Sequence, residues 1–356
     1  MGPLSGIRIV DLSRLLPGPF CSWYLASLGA DVVRVDPPTG GDYLRSFPPV
    51  VQGTGVFYAC IHRGKRSVCL DLRDPSSHEA FHALLATADV LLEGFRPGTL
   101  ASGGLGPQAL LARHERLLVA SITGYGQTGP LAQEPGHDLN YQGLAGVVAA
   151  VGGEEPYPVQ VADVGGGSLT AALTICAALV GRDRGTLDRR WLDISMTEGV
   201  LGLMAPHLAT ACAEDRSLRP GGETLTGALP SYRAYRCADG RWICVGALEP
   251  KFLARLMTQA GGSPSADLFA SKPLNEWLEL LQDCCVSPAL EVAEVVAHPQ
   301  HAARDVFEQV LGIPMARAPF PWRSACHVAV PGEHTRELLE PLGVDVDALV
   351  ALGVSA

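Results

Sequence analysis

Short segments rich in Val, Ile and Leu recur through the first 125 residues, at 7–12, 31–36, 67–72, 89–93 and 117–122. They carry apolar side chains at successive positions, as strands covered on both faces do. Between them, 18–28, 78–87 and 107–114 space apolar residues at helical intervals. Strand–helix–strand alternation predicts right-handed crossover units, a parallel sheet with helices on both faces, and an α/β fold. Ligands of such sheets bind at the carboxyl ends of the strands. A further strand is expected at 191–195, then a helix over 196–213 interrupted at Pro206. Glycine, proline and serine make 216–230 a linker. Beyond it the texture changes to a hairpin (232–237 and 241–245, turn 238–240), a helix opening at 246–250 and running to Met257, and helical stretches at 275–285 and 289–297. The pattern therefore predicts two domains. The large one comprises 1–222 with 321–356, including a helix at 336–342, and a smaller α+β domain comprises 223–320.

One glycine-rich stretch, 124–167, interrupts the regular pattern. It contains Gly136-His137-Asp138, and a second acid, Asp163, ahead of Gly165-Gly166-Gly167. The small-residue apolar run 168–180 reads as a buried helix, whose start would offer free N–H groups to an anion. Two readings stand side by side here. His137 and Asp163 are either a pair of proton-transfer groups, or a loop histidine and a helix-capping acid.

Composition narrows the classes. Apolar content of 47% with 18% charged residues belongs to a chain with a filled interior. A net charge of −10 lacks the basic footprint of nucleic-acid binding, and no apolar run is expected to reach membrane-spanning length. The first residues lack the layout of a signal peptide, and Pro3 argues against myristoylation at Gly2. Ten cysteines form no CxxC pair, so reduced structural thiols and a cytoplasmic location are expected, with no metal site. Residues 104–109 formally fit a dinucleotide fingerprint, but they follow no strand and contain Pro107, and read as the turn before a helix.

Long motifs then identify a relationship. GPLSGIRIVDLSRLLPGPF at 2–20, LGADVVRVD at 28–36, RGKRSVCLDLR at 63–73, ADVLLEGFRPG at 88–98, ITGYGQTGP at 122–130, GHDLNY at 136–141, VADVGGG at 161–167, YRAYRCADGRWICVGALEP at 232–250 and HPQHAARDVF at 298–307 together resemble the family III CoA-transferases over nearly the whole chain. The histidine of GHDLNY resembles the racemase branch of that family. The resemblance implies a Rossmann-like large domain, a small domain, and an interlocked homodimer acting on acyl-CoA thioesters without a separate cofactor. It implies that His137 and Asp163 are catalytic, with Glu249 as an outer acid lining the site from the partner subunit. CoA contacts carry over to Leu70, Asp71, Leu72 and Arg73, to Gly94, Phe95 and Arg96, and to Gly136, Asp138, Leu139, Asn140 and Tyr141.

The chain departs from the family pattern at Pro37, Ser102 and Val159, which removes two cations expected near the nucleotide end. Arg34, Arg45, Lys65 and Arg66 are candidate replacements, or equally solvated surface charges. The implied reaction inverts the α-carbon of a 2-methylacyl-CoA thioester. Neutral His137 and protonated Asp163 would exchange protons with opposite faces, through an enolate held at the helix start after Asp163. Asp163 would then need a raised pKa, from burial or from a second carboxylate such as Glu249. The same residues also fit a CoA-transferase with Asp163 as nucleophile, or a non-catalytic acyl-CoA-binding relative.

Overall fold

The computed structural model describes residues 2–153, 155–323 and 325–355. The chain forms two compact units, and the larger takes the run up to Ala145, Tyr157–Leu203, and the chain from Val306 onward. Its centre is a sheet of six parallel strands: β1 (Arg8–Asp11), β2 (Asp31–Asp36), β3 (Arg66–Cys69), β4 (Val90–Glu93), β5 (Leu118–Thr123) and β6 (Trp191–Ser195). Their order is β3-β2-β1-β4-β5-β6, the doubly wound Rossmann arrangement. The strand order reverses between β1 and β4, and ligand crevices of such sheets open at that point.

The apolar segments end up as expected for strands covered on both faces: every residue of β4 and β5 is buried. Val10, Val33, Val68, Leu91 and Val119 pack with Phe81, Leu84 and Leu85 of the helix His78–Leu85. Each fully buried Leu or Phe contributes about 1.5–3 kcal/mol. The C-terminal segment joins this core through Leu338, Leu339, Val346 and Leu349. It also shortens β3. Instead of continuing to residue 72, the chain leaves the strand at Cys69, and the Asp71 N–H donates to the Val354 carbonyl at 2.9 Å.

Helix α1 (Pro17–Ser27) follows β1, and α2 (Asp138–Leu144) precedes the longest helix of the large unit. That helix, α3, starts earlier than 168. It runs as a π-helix over Val161–Leu169 and as an α-helix over Thr170–Asp183. Its glycines are needed for packing rather than for a loop. A Cβ on Gly166 would lie 2.4 Å from the Met196 carbonyl oxygen, and one on Gly199 would lie 2.1 Å from the Gly166 carbonyl oxygen. So α3 and the start of α4 (Met196–Ala213) meet backbone to backbone. By length and composition α3 is also long and apolar enough to cross a membrane, which corrects the expectation that no stretch qualifies. In the fold, Ala162, Gly166, Gly167, Ser168, Ala171 and Ile175 of this helix are buried.

Helix α4 continues through Pro206 without the expected interruption. The smaller unit comprises 146–156 and Met204–Asp305, so the division falls elsewhere than at 222 and 320. The chain after Asp305 belongs to the large unit because the hairpin Phe307–Val310 and Ile313–Ala316 buries Val310 and Met315 against Ala59, and the Arg63 Nε donates to Glu308 at 2.9 Å. In the small unit β7 (Tyr232–Arg236), β8 (Trp242–Gly246) and β9 (Val286–Pro288) form an antiparallel sheet. The helix expected over 275–285 stops at Leu280, and Val286–Pro288 pairs as the third strand. Ile243, Val245, Phe269 and Trp277 form the core of this unit.

Candidate active site

At the reversal of strand order, the loops after β1 and β4 face each other. Glu93, buried at the end of β4, accepts the Phe95 N–H at 2.8 Å and so orients Gly94, Phe95 and Arg96. The loop after β5 passes beneath Tyr141. A Cβ on Gly124 or Gly136 would lie 2.4 or 2.7 Å from the Tyr141 ring, and the Tyr141 hydroxyl donates to the Gly136 carbonyl at 2.6 Å. Two glycines therefore clamp one aromatic ring, which fixes the residue just before His137. At His137 the backbone is extended, and its N–H donates to Asn140 Oδ1 at 3.0 Å. The imidazole is left exposed at the start of α2.

Asp138 links His137 to Asp163. Its Oδ1 accepts the Ala162 N–H at 2.7 Å and the Asp163 N–H at 2.9 Å, while Gln142 holds Oδ2. The carboxylate thus caps α3 and satisfies two N–H groups that a helix start leaves free. It also places negative charge beside Asp163. Burial, and second the Asp138 carboxylate, raise the Asp163 carboxyl to about 7. The carboxylate beside Asp163 within the chain is Asp138, the immediate neighbour of His137, a residue that the expectation of Glu249 in this role does not name.

His137, Asp163, Gly136, Asn140 and Tyr141 line a cleft of ≈ 730 Å³, together with Gly94, Phe95 and Arg96. A second cleft, of ≈ 620 Å³, is lined by Leu70, Asp71, Leu72 and Arg73 with Asp36, Pro37 and Gly40. Ten of the twelve residues assigned to CoA thus line one or both clefts. Asp138 and Leu139 line neither cleft: the Asp138 carboxylate is turned onto α3, and Leu139 is exposed outside. Arg73 grips Asp71 through two bonds of 2.8 and 2.6 Å.

The anion site expected after Asp163 is absent, because α3 begins at Val161 and Asp138 already caps it. Several helix starts reach the cleft: Leu16 and Pro17 at α1, His137 and Asn140 at α2, and Gln160 and Asp163 at α3 all line it. Glu249 lies in the small unit at the start of the helix Pro250–Ala260. It occupies the capping position without making a side-chain cap bond, so its carboxylate is exposed.

Residues 4–267 match the sequence profile of CoA-transferase family III. The chain belongs to that family. It is 35% identical to the human α-methylacyl-CoA racemase, over 98% of this chain and 96% of that protein. It is 30% identical to the acetyl-CoA:oxalate CoA-transferase of Acetobacter aceti, over 89% and 88%. Its structure is similar to that of a CAIB/BAIF family protein from Brucella suis, with a TM-score of 0.83 at 27% identity, covering 96% and 99% of the two chains.

Within this family III fold, three of the four proposed replacement cations are engaged in the large unit itself. The Arg34 Nε donates to Asp36 at 2.7 Å, and Lys65 is buried with its Nζ 2.7 Å from Ser22 Oγ and 3.5 Å from Asp11. Arg66 pairs with Asp31 and Glu337. The fourth, Arg45, lines neither cleft. Arg14, which sequence reasoning passed over, lines both. The signal was there: Arg14 follows a strand at its carboxyl end, where ligands of parallel sheets bind.

Proposed function

We propose that the chain inverts the α-carbon of 2-methylacyl-CoA thioesters by proton transfer through an enolate. His137 removes the α-proton from one face and Asp163 delivers a proton to the other; the reverse direction exchanges their roles. One proton leaves the carbon and one returns, so substrate and product have the same composition. The observation that carries this reading is the Asp163 carboxyl, raised to about 7 and sharing a cleft with His137. An acid poised near the working pH is what general acid catalysis requires.

The reading includes a homodimer in which Glu249 of the partner subunit approaches the His137–Asp163 cleft. The alternative is transfer of CoA through an anhydride at Asp163, the class of activity that the name of the Acetobacter relative describes. That route needs Asp163 ionised as a nucleophile, and its burial beside Asp138 disfavours the ionised form.

Incubation of the enzyme with either enantiomer of a 2-methylacyl-CoA in deuterium oxide tests the reading. The expected result is one deuterium at the α-carbon, progress to a racemic mixture, and no hydroxamate on the Asp163 side chain on treatment with hydroxylamine. A hydroxamate at Asp163 without α-proton exchange would establish the transferase instead.

A further inference from the structure

Acyl-CoA with its thioester at His137 and Asp163 and its nucleotide end against Leu70–Arg73 has to pass the point where the two clefts meet. Arg14 and Phe95 line both clefts, with the Arg14 guanidinium carbon 5.9 Å from the centre of the Phe95 ring. The backbone on either side of Arg14 is pinned. Ser13 N–H donates to Asp11, and Leu15 N–H donates to Asp42, each at 2.8 Å. Both acceptors are themselves buried; Asp11 lies 3.5 Å from Lys65 Nζ, and Asp42 lies 3.5 Å from His62 Nε2.

Leu15 adopts φ +65°, a conformation a leucine seldom takes and one that persists where the surroundings fix it. The loop is therefore rigid, while the side chain at its tip is exposed. The carboxylates that line the nucleotide-side cleft are engaged by other groups: Asp36 by Arg34, and Asp42 by the Leu15 and Leu44 N–H groups. Arg73 is held by Asp71, whereas no carboxylate pairs with Arg14 among the described residues.

We propose that Arg14 binds the diphosphate of acyl-CoA, the anionic group between the pantetheine arm and the adenosine. A planar guanidinium offers paired N–H donors that match two phosphate oxygens. A rigid loop presents them without a backbone ordering cost. This assignment rests on the acyl-CoA reading above.

The test compares wild type with Arg14→Ala and Arg14→Lys, using calorimetric binding of CoA and α-proton exchange of matched acyl-CoA and S-acylpantetheine thioesters. Pantetheine lacks the diphosphate. Loss of a charge-assisted contact is expected to weaken CoA binding by about 10- to 100-fold in Arg14→Ala. The kcat/KM ratio of acyl-CoA to S-acylpantetheine should fall by a similar factor, and Arg14→Lys should recover part of both. CoA affinity within twofold of wild type, or an unchanged ratio, would overturn the assignment. CoA binding that depends on Arg14 in a protein that exchanges no α-proton would keep it and remove the racemase reading instead.

Discussion

A carboxyl group donates a proton near neutral pH only where something disfavours its charge, and at Asp163 two things do. Burial is the larger and the Asp138 carboxylate the second, and together they raise the group to about 7. In the direction in which His137 removes the proton, the neutral form of Asp163 is the acid, so its contribution to kcat/KM is full below that value and fades as pH rises through it. Replacing Asp138 with Asn removes the neighbouring charge but keeps an oxygen able to accept the Ala162 and Asp163 N–H groups. We predict that Asp138→Asn moves the basic limb of the pH–rate profile to lower pH, by up to about one unit, with the fold retained. An unmoved limb would place the control of Asp163 elsewhere. His137 carries a simpler expectation. Its ring is exposed and packs on little, so His137→Ala should leave the melting temperature within a few degrees of wild type. It should lower α-proton exchange by about 10²- to 10⁴-fold, and exchange within threefold of wild type would remove the residue from the mechanism.

Helix α3 delivers Asp163 to the cleft, and its glycines set how closely it lies against α4. Gly166→Ala would push a methyl carbon to 2.4 Å from a backbone oxygen that no rotamer change relieves. Overpacking of this kind costs about 1–3 kcal/mol. We expect Gly166→Ala to lower the urea midpoint accordingly and to reduce activity by displacing Asp163, whereas Gly143→Ala, with open space at its Cβ, should be neutral. Equal effects at both positions would contradict the close crossing. The strands of the large unit were legible because double-sided burial leaves runs of Val, Ile and Leu, and the motifs around His137 and Asp163 were legible because they are long. The start of α3 was not. Three successive glycines carry no apolar period and resemble a loop, and only the Met196 and Val200 backbone facing them shows that they are helical. Ion pairing was equally hidden: nothing in the order of residues tells that Lys65 is buried beside Asp11 while Arg14 pairs with no carboxylate among the described residues.

At the scale of the whole molecule, one side of α3 is apolar and exposed. Leu169, Leu173 and Val180 fall on one face of the helix and are 42%, 72% and 49% exposed, an apolar ridge of the kind that interfaces cover. We predict a homodimer of twice the 37.5 kDa chain mass in sedimentation, and conversion toward monomer by Leu173→Arg. A wild-type monomer at micromolar concentration would exclude this assembly. If Glu249 of the partner subunit serves the cleft, co-refolded Asp163→Ala and Glu249→Ala chains should regain part of the activity that each lacks alone. The chemistry itself is tested most directly by following α-proton exchange of each enantiomer separately in Asp163→Asn. Asparagine fills the same space but cannot give or take the proton, while His137 still works on its own face. The account predicts that one enantiomer exchanges its α-proton with retention of configuration, that the other does not exchange, and that racemisation is lost. Equal exchange of both enantiomers in Asp163→Asn would contradict two-base catalysis by His137 and Asp163.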